Sequence, residues 1–335
     1  MLYSNPPSYS EQVAELVDPT LSCFREITKK YFLFHCAFVA LVIAEALFIG
    51  IFFSFLIDSF FLGLAIALIF FTTLLYFVMR LYYTEQKPHE LVALRDEFLT
   101  MCRSFLPRSH MPEEAHIAIS NSALRIVDTL DGIEMHLYTI PQNLKFAEEF
   151  LGKWIGALHF PDVQKMKELF MLASITEQIK LIELNPTDGK AHARLAELFI
   201  ALAEIYKNAG RHSLGKTSFW KKQEKYVLER ATQELKIASQ FAPEDVTIHE
   251  ALAKSYHGLG MTGKEIHEYE HLYRLRPHEP EILFTLGRLY FESAENAKGL
   301  KVYQELQKNA PEHAEKLIGL YGAYLHTSCI SQAVG

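Results

Sequence analysis

The chain has 335 residues, half of them apolar, and a net charge of −7. That size holds about two domains, and the charge gives no general bias toward nucleic acid, so no DNA or RNA partner is expected. Cys23, Cys36, Cys102 and Cys329 share no C-x-x-C spacing and no permitted N-x-[ST] site occurs, which suits a reducing compartment.

The first 18 residues are polar and read as a disordered tail. Pro6 to Tyr9 spell PPSY, the P-P-x-Y form that WW domains accept as an extended proline segment; the plainer reading gives it no role beyond solubility. Asp18-Pro19 predicts a helix start, an N-cap with proline in the first turn. Leu21, Phe24 and Ile27 then form an apolar stripe.

From Tyr31 to Tyr83 the chain is almost continuously apolar. The run is too long for a signal peptide, whose apolar core is about 7–15 residues, and too long for one span, since roughly 20 residues cross a bilayer. Asp58-Ser59 divides it into Phe32–Leu56 and Phe60–Met79, which predicts a tight transmembrane hairpin. Arg25, Lys29, Lys30 and Arg80 flank it while the turn carries only Asp58, placing both ends in the cytosol. Glu45 lies in the first span, where an ionisable group costs about 2.5–3.5 kcal/mol. Counted outward from Asp58 it faces Thr72 and Thr73, either of which would hydrogen-bond a protonated carboxyl. Helix glue, including a homo-oligomer through the hairpin, is the favoured role over transport, because two spans enclose no pathway.

After Thr84 the pattern is that of soluble helices. Leu91, Leu94, Phe98 and Phe105 mark one that stops at Leu106-Pro107; Pro112–Leu130 reads as a second, with a breaker at Asp131-Gly132. A third is expected over about 141–158, with Leu144, Ala147, Leu151, Trp154 and Ile155 on one side, and a fourth from Pro161-Asp162 to Leu184. No segment alternates as a strand.

Repeats follow. IELNP, SQFAP, YRLRP and QKNAP each end in proline, and aligning Pro277 with Pro311 gives two units of 34 residues, Val246–Glu279 and Pro280–His313. With Leu283, Leu286, Gly287, Tyr290, Gly299, Tyr303, Leu306 and Pro311 in one unit, and Leu252, Ala253, Tyr256, Tyr269, Leu272 and Pro277 in the other, this resembles the tetratricopeptide repeat family. The earlier unit departs from its pattern at His249, where a large apolar residue is usual, and at Glu265, where a small one is. The resemblance implies stacked helical hairpins, and Ala314–Ile330 reads as a terminal covering helix. Leu195, Ala196 and Phe199 begin another repeat whose first helix continues through Leu202, Ala203 and Tyr206; Ala231, Leu235, Ala238 and Pro243 finish it, and Gly189–Asp245 exceeds a standard unit by 23 residues.

The tip of that elongated arm reads GRHSLGKT, residues 210–217, which fits G-x-x-x-x-G-K-[ST]. A phosphate loop needs a strand entering it and a helix N-terminus receiving phosphate, whereas residues 205–209 belong to a helical pattern, so nucleotide hydrolysis is not expected. What remains is a basic tip, Arg211, His212, Lys216, Lys221, Lys222 and Lys225 around Trp220, suited to anionic lipid or an acidic partner unless it is simply solvated. His267 to His271 read HEYEH and satisfy H-E-x-x-H, but they lie in a repeat's second helix, with Arg274 and Pro277 where a longer zinc-protease motif has Gly and His. They read as surface histidines.

The family resemblance places function in the concave groove lined by first helices. The groove positions carried over are Thr247, Glu250, Lys254 and His257, then Glu281, Phe284, Arg288 and Phe291. Glu250 and Phe284 stand where a carboxylate clamp would need donors, so an extended or helical peptide fits better, with Phe284, Arg288 and Phe291 as anchors unless either Phe is core.

The expected fold is all-α: a two-helix transmembrane hairpin followed by a tetratricopeptide-like α-solenoid with one elongated helical arm. The expected divisions are a cytosolic tail and short amphipathic helix (1–30), the hairpin (31–83), a helical region that divergent repeats would fit (84–160), and the array with its capping helix (161–335). The expected function is a non-enzymatic membrane-anchored scaffold for protein or peptide partners, without cofactor or metal, both termini cytosolic, in a bacterial inner membrane. The alternative location follows from layout: a short tail, paired apolar helices and a large cytosolic domain resemble chlamydial inclusion membrane proteins, which would present the same groove to host proteins.

Overall fold

The structure is a computed structural model. It describes residues 8–56, 60–106, 111–133, 148–212 and 217–333, and within these all side chains except those of 53–56, 148–158, 212 and 323–333. Among the described residues all regular structure is helical: α1 (Tyr9–Leu56), α2 (Phe60–Ser104), α3 (Pro112–Thr129), α4 (Glu148–Leu184), α5 (Gly189–His212), α6 (Thr217–Phe241), α7 (Val246–Gly258), α8 (Thr262–Leu275), α9 (Pro280–Glu292), α10 (Asn296–Asn309) and α11 (Pro311–Ala333). The chain divides into two compact units, Met1–Ser174 and Ile175–Gly335, the division falling inside α4.

In the first unit α1 and α2 pair along their length. The pairing is antiparallel, since Tyr31 meets Tyr83 (5.4 Å between ring centroids), His35 Nδ1 lies 3.2 Å from the Tyr76 hydroxyl, and Glu45 reaches Thr72. The helices contain 48 and 45 residues, about 70 Å each at 1.5 Å per residue, so both extend well beyond their apolar stretches. Those extensions build a core: Val13, Val17 and Phe24 of α1, Leu91, Phe98 and Cys102 of α2, Ile119, Ala123 and Ile126 of α3, and Val163, Met166 and Phe170 of α4 are all buried. Phe98 and Phe170 meet edge to face at 5.4 Å, and each buried ring contributes roughly 1.5–3 kcal/mol.

Three expected helix boundaries are corrected. The first helix does not begin at Asp18-Pro19; it begins at Tyr9 and carries Pro19 inside. Ser8 and Glu11 form a capping box, Glu11 N–H donating to Ser8 Oγ (3.3 Å) and Ser8 N–H to Glu11 Oε2 (2.7 Å). The helix after Thr84 is not separate but continues α2 through Pro88, and Pro161 does not start a helix but lies within α4. An interior proline costs about 3 kcal/mol. Tertiary contacts on either side offset it: Lys87 pairs with Asp162 at 2.6 Å, and Leu91, His159 and Val163 are buried. The expected helical residues 141–147, and the side chains through Leu158, lie outside the described residues.

The second unit is built of helix pairs. α7 and α9 have 13 residues each, α8 and α10 have 14 each, and Val246 and Pro280, like Thr262 and Asn296, start equivalent helices 34 positions apart. The 34-residue period read from Pro277 and Pro311 is thus the period of the helices. The longer pair, α5 and α6, has 24 and 25 residues and joins the array through Ala196, Ala231, Leu235, Ile248, Leu252 and Tyr256, which share one buried cluster. The last cluster joins α8 to α11 through Ile266, Leu283, Leu286, Leu306 and Leu317. A Cβ on Gly287 would lie 2.6 Å from Leu317 Cδ2, so this position needs glycine for α11 to approach.

Candidate functional site

The groove positions divide once their contacts are examined. On α7, Thr247 is used locally: its N–H and hydroxyl donate to Asp245 Oδ1 at 2.9 and 2.7 Å, capping the helix and holding the Asp245 carboxyl below its usual range. Glu250 is half-buried and Lys254 exposed; His257 is exposed with its Nδ1 3.2 Å from the buried Glu265 Oε2. On α9, Glu281 faces His313 Nε2 at 3.2 Å, and Phe284 is half-buried with its ring against that imidazole. Arg288 donates to Glu292 Oε1 at 2.6 Å, so a ligand carboxylate must compete with an internal one. Tyr269 of α8, read from sequence only as a packing position, is half-buried; burial first, then the Glu265 carboxylate, raises its phenol pKa.

Phe291 is corrected. It is 4% exposed, its ring tilted against that of Tyr321 at 4.5 Å, and a Cβ on Gly299 would overlap its ring. It is core, and α11 covers it. The remaining face combines Glu250 and Lys254 of α7, Phe284 and Arg288 of α9 and Tyr269 of α8, a mixed surface with two half-buried rings.

The zinc-like string is engaged in structural bonds. His267 is exposed, but Glu268 Oε2 faces His249 Nδ1 at 2.8 Å. His271 is half-buried: its Nε2 donates to the Pro243 carbonyl (3.1 Å), its Nδ1 accepts from Arg274 (3.2 Å), and its ring lies 4.2 Å from that of His249. Both nitrogens of His271 are therefore occupied. Among the described residues no three potential metal ligands cluster.

The phosphate-loop string is entered by α5, which carries Gly210 and Arg211 in helix, and left by α6 at Thr217; residues 213–216, including Lys216, and the His212 side chain lie outside the described residues. A Cβ on Gly210 would sit 3.2 Å from Trp220 Cβ, so the glycine admits close helix contact. Arg211, Lys221 and Lys222 are exposed.

In the apolar hairpin, Thr72 Oγ1 donates to Glu45 Oε1 at 2.8 Å, while Thr73 Oγ1 donates to its own helix at the Ile69 carbonyl. Glu45 Oε2 has no hydrogen-bond partner among the described residues. At the other end of α1, the Tyr9 of PPSY is not extended: it opens the helix and its hydroxyl lies 2.9 Å from Ser122 Oγ. It lines a cavity of about 240 Å³ with Val13, Asn121 and Arg125, smaller than the roughly 300–1,000 Å³ of ordinary ligand sites. Pro6 and Pro7 lie outside the described residues.

No protein-family model matches the chain, and no curated protein matches it. Among solved structures it is similar to TTC0263, a thermophilic TPR protein of Thermus thermophilus, at 17% identity over 73% of this chain and 93% of that one, TM-score 0.34. It is also similar to the MamA RS-1 ArsTM double mutant (15% identity, 66% of this chain and 96% of that one, TM-score 0.32). A third likeness is to the assembly chaperone of RpL4, Acl4 (16%, 77% and 96%, TM-score 0.30). Likenesses at such TM-scores add nothing to what the helices themselves establish. On the 34-residue offset of its own helix pairs, the C-terminal part of this chain is a TPR-like helical repeat.

Proposed function

We propose that the chain is a membrane-anchored scaffold that recruits protein or peptide partners through the face lined by α7 and α9. The observation that carries the anchoring is exposure. In the most apolar stretch of α1 none of the residues is buried, and in that of α2 only 6% are, whereas a core helix of a soluble protein buries at least one side. Leu47, Ile51, Phe61, Phe70 and Leu81 are each at least 60% exposed, and apolar surface of that extent requires a cover. Lipid fits, because each apolar segment, Phe32–Leu56 and Phe60–Met79, reaches the roughly 20 residues of a span and basic residues flank the pair. Residues 31–83 are the anchor in this reading, with both termini cytosolic in a bacterial inner membrane.

The recruiting face offers Lys254 and Arg288 to acidic groups, Glu250 and Glu281 to basic ones, and Phe284 to an apolar side chain. Such a mixture suits a peptide carrying both charge and an apolar anchor. A second location, the inclusion membrane of an intracellular bacterium, has the same layout and would turn the same face to host proteins.

Crosslinking mass spectrometry on intact cells, comparing the natural chain with Arg288→Glu, tests the recruiting face. The account expects cross-links from Val246–Glu292 to a partner to disappear in the variant, with helicity and membrane fractionation unchanged. Cross-links that persist there contradict it.

A further inference from the structure

The α5–α6 arm presents an outward surface that the recruiting face does not use. Leu228 lies against the end of α7: its Cδ1 is 2.9 Å from where a Cβ on Gly258 would sit. Thr217 to Val227 therefore run past α7, an overhang of about 16 Å at 1.5 Å per residue. Its inner side is apolar, with Trp220 against Tyr206 at 5.8 Å and Val227 buried. Its outer side carries Phe219, 53% exposed, and Tyr226, 60% exposed. Seven residues apart, these rings share a helix face with Lys222 between them. Lys221, Lys222 and Lys225 are exposed, and none has an ion-pair partner among the described residues.

We propose that this face docks on an anionic bilayer surface, Phe219 and Tyr226 entering the headgroup region while the three lysines meet lipid phosphates and carboxylates. Aromatic rings favour that boundary, lysine stems extend their charge toward it, and each lysine near an anionic leaflet adds attraction. An acidic protein is the lesser fit, because both rings are more than half exposed and an acidic segment would leave their apolar surface uncovered. The proposal leans on the anchor reading in one respect: a chain already held in a bilayer keeps the arm at high local lipid concentration.

The test uses the full chain reconstituted into vesicles of phosphatidylcholine, alone or with about one third phosphatidylserine, with amide exchange read by mass spectrometry. Flotation with the neutral vesicles is scored first; a chain that does not float refutes the anchor, and the exchange comparison is then made with protein added from outside. The expected result is several-fold slower exchange of Thr217–Tyr226 on the anionic vesicles, lost when Lys221→Glu, Lys222→Glu and Lys225→Glu are combined, with Val246–Gly258 unchanged as the control for folding. Equal exchange on both vesicles overturns the proposal. So does slowing by soluble polyglutamate on neutral vesicles without slowing by anionic lipid, which would assign the face to an acidic protein.

Discussion

Gly260 and Ala294 occupy the same turn of consecutive repeats and share a left-handed backbone, φ 68° and 61°. Each closes the same C-terminal motif: Gly260 N–H donates to the His257 carbonyl and Met261 N–H to that of Tyr256, while Ala294 N–H donates to Phe291 and Glu295 N–H to Tyr290. A side chain in this conformation costs about 1–2 kcal/mol, part of which glycine returns through its freer unfolded chain. Ala294→Gly is expected to stabilise the array by roughly 0.5–1 kcal/mol, and Gly260→Ala to destabilise it, both read from thermal unfolding of the full chain. Destabilisation by Ala294→Gly would show that the turn is not strained.

The departures at His249 and Glu265 are compensated by pairs that span two helices. His192 and His249 make matching bonds: each Nε2 donates to the carbonyl of the proline six residues earlier, Pro186 at 3.0 Å and Pro243 at 2.9 Å, and each Nδ1 faces a glutamate, Glu234 at 2.7 Å and Glu268 at 2.8 Å. One repeat later the positions of His249 and Glu268 hold Leu283 and Val302, both buried. His249→Ala leaves a glutamate and weakens the hold on a carbonyl, and about 1–3 kcal/mol should be lost. The double change His249→Leu with Glu268→Val copies the later repeat and should recover most of that loss. Strictly additive single and double losses in a mutant cycle would show that the pair is not coupled.

Phe284 and Phe291 distinguish binding from packing. Phe291→Ala empties a site beneath Tyr321 and should cost about 3–5 kcal/mol, whereas Phe284→Ala should change stability far less and reduce partner cross-links instead. Denaturant titration separates them, and equal destabilisation by the two would remove Phe284 from the recruiting face.

The Glu45–Thr72 contact leaves one carboxyl oxygen without a partner among the described residues. That oxygen is enclosed within the hairpin, so Glu45→Ala is expected to loosen α1 against α2 and through that to reduce cross-linked oligomers, while Glu45→Gln retains them. Oligomers unchanged in Glu45→Ala would exclude self-association through this residue.

What the sequence made legible was set by period. Prolines at 277 and 311 fixed the α7–α10 register, because one residue of slippage would expose Leu252, Leu286 and their neighbours. Single residues misled where a distant contact decided the outcome. The chain after Thr84 reads as a separate helix and Pro161 as a helix start, yet Lys87, Asp162 and the buried Val163 hold α2 and α4 through Pro88 and Pro161. His249 read as a defect because Glu268 lies nineteen positions on, and Phe291 read as an anchor because its cover, Tyr321, lies in another helix. The start of α1 was a different failure: Ser8-x-x-Glu11 is a local signal, passed over for the more conspicuous Pro19.

The central claim is that residues 31–83 hold a helical-repeat scaffold in a membrane. Alkaline extraction of membranes from cells expressing the full chain, with tags at both ends exposed to protease on one side, measures it most directly. The account predicts that the chain stays in the pellet, that both tags are cut from the cytosolic side, and that deleting 31–83 releases the remainder to the supernatant. A full-length chain recovered in the supernatant, or tags cut from opposite sides, would contradict it.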